Sequence, residues 1–471
     1  MTQRSAFRLL VPALLLGAAV AVPSQAAKPH PPCAPGTATT SYLVGGTPAR
    51  ASTPRLACAS DTGFYTGETG IAVTKGGHVW FSAADWEWAM VHSTDSGKTW
   101  RREAAGGPQA MPGCYVATSP ATCQDTESAK YNTVADAYLW ADPATGKLFW
   151  SKTYGLAVCS SLSMTPDQGR TWQSVPEFAC PGADYEKIAG GPPPAGGAKP
   201  VGYPSVLYGC TNGPAPVFVV GPNRPCYRSL DGGRSWNLAG IPLPSPLAPG
   251  CLHFQEAQVV GPDGTLYLPI SCGSDNPSAL VRVAMSRDEG LTWSYVAVPT
   301  AEVGNGAGLI GGVSVAVDAA RNLYVVWRGK DQHPYLSVSR DQGRTWRGPM
   351  PIAPRGVTSG GPTPQVVAQA AGHIAIGYYG WTKDAQHLNG YLTESFDAAS
   401  ARPVLQTGLL NDPRKPLYFP VPSSATLPRN DYLGVTFAPD GRPWVGLVKL
   451  LSATPDSEGY IRATGVAGHL Q

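Results

Sequence analysis

The chain has 471 residues, of which only 14% are charged, and its 35 lysines and arginines nearly balance 32 aspartates and glutamates. Nucleic-acid binding needs a basic stripe or patch, and no such run is present, so we expect neither a nucleic-acid partner nor attraction to a membrane surface. Glycine (55) and proline (47) are abundant and separate short β-rich runs. This pattern predicts an all-β protein.

Residues 1–26 form a predicted secretory signal peptide, because two arginines precede an apolar run that ends in small residues. The run is too short for a stable membrane-spanning helix. No later stretch is apolar enough to be one. We therefore expect a secreted, extracellular, monomeric protein without a membrane anchor, beginning near Ala27.

All ten cysteines follow the predicted signal, and an even number in an exported chain indicates disulfides. Their spacing suggests that neighbours pair, as Cys33–Cys58, Cys114–Cys123, Cys159–Cys180, Cys210–Cys226 and Cys251–Cys272. No Cys-x-x-Cys pair or His/Cys cluster resembles a zinc site. We expect no cofactor, with a structural Ca²⁺ as an open alternative.

The first repeat unit reads as four short strands. "TGIAVTKGG" predicts a strand and a turn, "HVWFSAAD" a second strand, "EWAMVHSTDSGKTW" a third strand with a turn, and "RREAA" the start of a fourth. Similar units recur, and we count seven opening strands, near residues 68, 136, 185, 256, 312, 363 and 431. Repeats of four short strands predict a β-propeller with antiparallel four-stranded blades. Seven blades are favoured, and six are the alternative if two units merge.

Five units contain a phrase of the form S-x-D-x-G-x-T-W, whose tryptophans are Trp100, Trp172, Trp236, Trp293 and Trp346. The aspartate can accept backbone N–H bonds across its own turn. The glycine can adopt a positive φ, and the tryptophan can bury a large apolar area. Five equivalent sites around a ring cannot converge on one substrate. We therefore interpret the phrase as a structural clamp on each hairpin.

The phrase resembles the Asp-box (BNR) repeat of the sialidase superfamily. Four copies fit closely, at 93–100, 229–236, 286–293 and 339–346, and a fifth at 163–172 fits with Pro166 as an extra residue. Residues 394–405 resemble a degenerate sixth copy. The resemblance covers roughly 60–470 and implies a propeller with its boxes at the blade periphery, away from any active site. The superfamily includes sialidases, other glycosidases, lyases and non-catalytic binding propellers, so the fold does not decide the function.

The chain is thus divided into the signal peptide (1–26), an N-terminal segment (27–60) and the propeller (61–471). Closing the ring would remove exposed sheet edges. We expect "TTSYLVGG", at 39–46, to supply the outer strand of the last blade.

The innermost strand of each blade lines the central channel, so the residue that opens each inner strand is a candidate site residue. These positions are mostly acidic, namely Glu68, Asp136, Asp184 or Glu186, Glu256, Gly312, Thr363 and Asp431. Carboxylates that converge raise one another's pKa, so one could serve as a general acid and another as a base or nucleophile. Two alternatives are open, Ca²⁺ binding and simple capping of each strand.

The resemblance also implies residues that a true sialidase needs. Family members carry an arginine triad, beginning with an Arg-Ile-Pro motif, but the corresponding stretch here is "GETGIAV". Arg328, Arg282 and Arg429 are the remaining arginine candidates for substrate binding. Tyr379, beside Tyr378, is the candidate tyrosine nucleophile. Aromatic side chains that could stack on a sugar are Trp86, Trp88 and Trp381.

The sequence leads to a secreted sialidase-like β-propeller that acts on an extracellular glycan or polysaccharide. A glycoside hydrolase that uses channel-mouth carboxylates is the leading hypothesis. A non-catalytic propeller that binds a glycan or a protein is the alternative, and a polysaccharide lyase is a weaker one.

Overall fold

The computed structural model describes residues 37–51, 53–83, 89–103, 137–154, 159–179, 186–211, 225–242, 251–252, 257–272, 278–304, 312–428 and 430–471. These residues form β-strands and turns, and no helix among them could cross a membrane. The predicted signal peptide lies outside them.

Four strands precede the first blade. They are β1 (Thr37–Ala38), β2 (Thr40–Leu43), β3 (Thr47–Pro48) and β4 (Leu56–Tyr65). Blade one contains β5 (Thr69–Val73), β6 (Val79–Ala83), β7 (Ala89–Ser93) and β8 (Arg101–Arg102). Blade two contains β9 (Tyr138–Ala141), β10 (Leu148–Tyr154), β11 (Cys159–Thr165) and β12 (Gln173–Ala179). Blade three contains β13 (Lys187–Gly191), β14 (Val206–Cys210), β15 (Cys226–Ser229) and β16 (Asn237–Gly240).

The remaining blades follow in chain order. Blade four contains β17 (Cys251–Leu252), β18 (Val259–Val260), β19 (Leu266–Cys272), β20 (Ser278–Ser286) and β21 (Ser294–Gly304). Blade five contains β22 (Val313–Val317), β23 (Leu323–Arg328), β24 (Pro334–Ser339) and β25 (Arg347–Pro351). Blade six contains β26 (Thr358–Ala368), β27 (Ile374–Trp381), β28 (Asn389–Ser395) and β29 (Val404–Leu409). Blade seven contains β30 (Gly434–Phe437), β31 (Pro443–Leu450) and β32 (Ala463–Leu470).

The described strands form seven antiparallel sheets in a closed ring around a hub. Each inner strand contacts the inner strand of the next blade, in the order β5, β9, β13, β18, β22, β26, β30 and back to β5. A Cβ on Gly434 in β30 would lie 2.7 Å from the backbone nitrogen of Ile71 in β5. Only a glycine permits this close approach at the closure. The predicted all-β propeller of antiparallel blades is confirmed.

The N-terminal segment closes the ring, but with a different stretch from the one that we predicted. β4 pairs with β32 and becomes the fourth strand of blade seven. The predicted stretch at 39–46 contains β2, which instead pairs with β29 and extends blade six. That part of the prediction was wrong, because the alternating pattern of a short strand does not specify which sheet edge it joins.

The cores lie between neighbouring blades. One buried cluster, for example, joins Tyr267 and Val283 of blade four to Val325 and Trp327 of blade five. Burial of apolar area is the main favourable term in folding. The ring is therefore stabilised by blade-to-blade packing rather than by a single central core.

The structure supports part of the predicted disulfide pattern. Cys210 and Cys226 form a disulfide within blade three. Cys251 and Cys272 are backbone partners in the register of β17 and β19. Cys58 is disulfide-bonded, while its predicted partner Cys33, the pair Cys114–Cys123, and Cys180 lie outside the described residues.

The boxes have the same hydrogen bonds in each of the five blades that carry them. In blade five the Ser339 hydroxyl donates to Asp341 Oδ1 (2.8 Å) and accepts the Gly343 N–H (2.7 Å). The Thr345 N–H and hydroxyl donate to the two oxygens of the same carboxylate, at 2.8 and 2.6 Å. These Thr345 bonds lower the pKa of Asp341 to about 2. The predicted clamp is confirmed in its geometry.

Two details of the boxes differ from the sequence interpretation. Thr165 takes the place of the box serine, because its hydroxyl donates to Asp167 and accepts the Gly169 N–H. Pro166 is therefore not an insertion. In four boxes the residue before the glycine also has a positive φ, between 59° and 63°, at Ser96, Gln168, Glu289 and Gln342.

Each box packs against the preceding blade. Trp172 of blade two meets Trp80 of blade one edge-on, with ring centroids 6.1 Å apart. Trp236 of blade three packs on Phe178 of blade two at 5.0 Å. The box tryptophans are half-buried, so they fasten neighbouring blades together at the rim.

Candidate functional site

The structure places two predicted carboxylates directly before inner strands. Glu68 precedes β5 and Glu186 precedes β13, and both side chains are fully buried. Asp431 is half-buried and lies three residues before β30. These three residues therefore stand at the same end of the sheets, on blades one, three and seven.

Other predicted positions are placed differently or fall outside the described residues. Gly312 directly precedes β22, but Thr363 lies inside β26 rather than at its start. A register shift between Gly360 and Gln365 lengthens that strand, and the sequence pattern did not reveal it. Five candidates lie outside the described residues, namely Trp86, Trp88, Asp136, Asp184 and Glu256. Arg429 lies outside them as well.

Three basic side chains occupy the same end of the sheets. Lys187 is the first residue of β13. Lys152 lies one residue beyond Ser151, the partner of Tyr138 at the start of β9. Arg328 lies one residue beyond Trp327, the partner of Val313 at the start of β22. All three are buried, at 3% (Lys152), 6% (Lys187) and 8% (Arg328) relative exposure.

The six acidic and basic residues at this end of the sheets define the hub mouth, and they are not isolated charges. Each of the six takes part in polar or electrostatic interactions. A buried charge is tolerated only when it is compensated, and the mouth contains both buried carboxylates and buried cations.

Two tyrosines and Lys187 join blades across the hub. The rings of Tyr138 and Tyr432 are 4.3 Å apart, and the Tyr432 hydroxyl donates to the Ala137 carbonyl (3.2 Å). The Lys187 ammonium lies 4.7 Å from the centroid of the Tyr138 ring and 5.3 Å from that of Tyr432. A buried cation above aromatic faces is attracted by their quadrupoles. The cluster connects blades two, three and seven.

Further hydrogen bonds join neighbouring blades near the hub. The Gln258 amide, which precedes β18, donates to the carbonyls of Lys187 (2.5 Å) and Tyr208 (2.9 Å) of blade three. The Ser82 hydroxyl of blade one donates to Ala137 of blade two (2.9 Å). The Thr69 hydroxyl of blade one donates to Gly446 of blade seven (2.8 Å). Polar side chains at the hub thus hold the ring closed.

Burial lowers the pKa of two cations in the hub mouth, Lys152 and Arg328. Burial lowers the pKa of Lys152 to about 7, and its ammonium lies 4.0 Å from the centroid of the Trp150 ring. Burial also lowers the pKa of Arg328, whose guanidinium donates to the Gly361 carbonyl (2.8 Å). The predicted substrate arginine therefore binds the backbone of blade six.

The candidate nucleophile and stacking residue lie in packed surroundings. Tyr379 is fully buried, and its hydroxyl accepts the Val448 N–H (2.6 Å). Burial raises its pKa well above the ordinary value of 10, so the phenol is held in its protonated form. Trp381 is half-buried at the end of β27 and packs against the core between blades six and seven.

Sequence analysis missed Lys152, Lys187, Tyr138 and Tyr432. A signal was present for two of them, because Lys187 directly follows Glu186 and Tyr432 directly follows Asp431. The described residues include no group of three or more His, Cys, Asp or Glu side chains that could hold a metal ion.

Comparisons with known proteins bear on the family and the fold. Residues 205–370 match the model of a BNR repeat-like domain. No curated protein shows significant sequence similarity to the chain.

Several solved structures show distant similarity to the chain. The BP39L lectin from Burkholderia pseudomallei shares 13% identity (TM-score 0.46, 85% of this chain and 95% of that one). YCF48 from Cyanidioschyzon merolae shares 11% (TM-score 0.45, 88% and 98%). The Aleuria aurantia lectin, described as a six-bladed β-propeller, shares 14% (TM-score 0.37, 72% and 91%). No function is transferred from such distant similarities.

The box geometry, the ring of sheets and the matched domain agree with one another. Residues 205–370 contain a BNR repeat-like domain within a β-propeller, in agreement with the Asp-box resemblance found in the sequence.

Proposed function

We propose that this protein is a secreted binding propeller that recognises an extracellular glycan at the hub mouth without cleaving it. Binding is favoured over catalysis because the described carboxylates of the hub mouth are buried or half-buried and are engaged within the protein. Glu68 and Glu186 are fully buried, both are engaged in interactions, and the mouth also contains buried lysine and arginine side chains.

Glycoside hydrolysis would need different carboxylates. A general acid must reach the glycosidic oxygen and keep a raised pKa, and its partner must reach the sugar or a water molecule. Carboxylates among buried cations are favoured in their ionised form. The candidate nucleophile Tyr379 is likewise engaged with the backbone of blade seven. These features support a structural role for the described acids.

The glycan class rests on the aromatic and polar character of the mouth. Aromatic faces stack on sugar rings, and Trp381 is half-buried at a strand end. Trp86 and Trp88 belong to the same sequence argument. The predicted export signal supports a ligand outside the cell.

Binding to a panel of soluble polysaccharides tests the proposal. We expect one polysaccharide class to bind the mature protein and to bind a Trp381→Ala variant at least about ten-fold more weakly, since the aromatic surface that would stack on the sugar is lost. Lys449→Gln is the control, because Lys449 forms an exposed pair with Asp61. The proposed hub site would be refuted if no polysaccharide in the panel bound, or if both variants bound equally well.

Glycoside hydrolysis is the second candidate. It is favoured by the equivalent positions of Glu68 and Glu186 before the inner strands of blades one and three. Release of reducing sugar distinguishes it from binding. Activity that disappears in Glu256→Gln would also assign a role to a predicted residue outside the described part of the chain.

A further inference from the structure

A groove of about 490 Å³ opens at the rim between blades five and six. It lies at the end of the sheets opposite the hub mouth. Its polar and aromatic lining consists of Asn322, Arg340, Phe396, Asp397 and Ser400. Binding pockets for small molecules have volumes of about 300–1,000 Å³, so the groove has room for a sugar.

Side chains of two intact boxes bridge the equivalent place between blades four and five. Arg287 of the blade-four box donates to the Gln342 amide of the blade-five box (3.4 Å). Gln342 in turn donates to Asp263 in the first turn of blade four (2.8 Å). Complete boxes therefore connect the turns of neighbouring blades.

Blade six carries the degenerate box and lacks this bridge. Ser395 and Asp397 retain the box contact between hydroxyl and carboxylate (3.1 Å). Alignment from Ser395 places Ala398 where blade five has Gln342, and Arg402 where blade five has Trp346. The loss of two large side chains leaves the groove open.

Arg340 occupies the same box position as Arg287 but has no corresponding amide across the groove. It is exposed, and it forms none of the ion pairs found among the described residues. A guanidinium presents several donors in a plane that matches a carboxylate. Arg340 is thus available to an acidic ligand.

Phe396 supplies a firmly held aromatic surface. It is 47% exposed, and one part of its ring stacks on His373, with centroids 4.5 Å apart. His373 is fixed by Glu394 (2.8 Å), which also pairs with Arg55 (3.1 Å). The Arg55 guanidinium lies 5.8 Å from the centroid of the Phe396 ring. The Phe396 ring is therefore held in place from one side while part of it lines the groove.

We propose that this groove is a second ligand site, which binds an acidic pyranose such as a uronate residue of an extracellular polysaccharide. Arg340 binds the sugar carboxylate, and the exposed part of Phe396 packs against the sugar ring. Asp397 accepts hydrogen bonds from ligand hydroxyls, because its carboxylate is already oriented by the Val404 N–H (2.9 Å) and the Ser400 hydroxyl (3.2 Å). The site is separate from the hub and does not depend on hub binding.

Saturation-transfer NMR with methyl glucuronide tests the site, with methyl glucoside as the neutral control. We expect a saturable glucuronide signal and a much weaker glucoside signal. The dissociation constant should increase about ten-fold in Arg340→Ala, which removes a charge-assisted contact, and also in Phe396→Ala.

Arg287→Ala is the matched control, because it removes the same residue from a box without a groove, and it should leave the signal unchanged. No glucuronide signal, or equal binding by Arg340→Ala and wild type, would overturn the rim site.

Discussion

The rim and the hub of the propeller both hold carboxylates, but they hold them in different ways. At the rim, Asp341 is half-buried and accepts hydrogen bonds only from residues within its own turn. At the hub, Glu186 is fully buried and neighbours Lys187, which lies over the Tyr432 ring of a distant blade. The rim carboxylates are local clamps, whereas the hub carboxylates are buried beside residues, such as Lys187, that connect blades.

This difference explains what the sequence could and could not reveal. The box is complete within eight residues, so its bonds could be predicted from turn chemistry alone. The hub contact between Tyr432 and Ala137 spans 295 residues, and no local pattern predicts it. The stretch at 39–46 was assigned to the wrong blade for the same reason, because strand pairing is a long-range property. Glu68 and Glu186 stand directly before their inner strands, as the repeat pattern predicts, whereas the cations at the same end of the sheets were not predicted.

The largest expected effect comes from removing a hub cation. Lys187→Met leaves nearby buried charge uncompensated and removes the contacts with two tyrosine rings, so we expect a loss of about 3–5 kcal/mol in the free energy of unfolding. Guanidinium unfolding measures this change. Lys449→Met, at an exposed pair, should lose less than about 1 kcal/mol. Equal small losses in both variants would remove the contrast between hub and rim.

A smaller effect is expected where a box contacts the preceding blade. Gly343 has a φ of +88°, and a Cβ there would lie 2.7 Å from Val296 Cγ2 of blade four. Gly343→Ala should therefore cost about 2 kcal/mol in unfolding free energy. Gly196→Ala is the matched control, because Gly196 also has a positive φ (+78°) but a Cβ at that position would have no atom within 4 Å. If the two variants lose the same stability, the contact between blades contributes nothing.

The buried hub lysine predicts a pH dependence. Burial lowers the pKa of Lys152 to about 7, below its ordinary value of 10.5. Between these values the unfolded chain binds more protons than the folded one, so stability from this group rises with pH, by at most about 1.4 kcal/mol per pH unit. Urea unfolding at pH 7 and pH 9 should show a smaller rise in Lys152→Met than in wild type. Parallel pH profiles would contradict the burial of this ammonium.

The smallest effect is expected for a single rim carboxylate. Asp231 accepts bonds from Ser229 and Ser235; burial acts to raise its pKa, but these and backbone hydrogen bonds outweigh it and lower the pKa. Asp231→Ala should cost about 1 kcal/mol at pH 7 after solvent screening. Because the folded pKa is lowered, this contribution is present above about pH 4 and is lost as the pH falls further. A difference from wild type that persists undiminished at pH 2 would contradict the clamp.

The central claim is that the described hub carboxylates hold the ring together and do not cleave a substrate. The most direct measurement is the release of reducing sugar from the polysaccharide that the protein binds, using wild type, Glu68→Gln and Glu186→Gln. The account predicts no release by wild type and lower unfolding midpoints in both variants. Release by wild type that is abolished in a variant with an unchanged unfolding midpoint would contradict it.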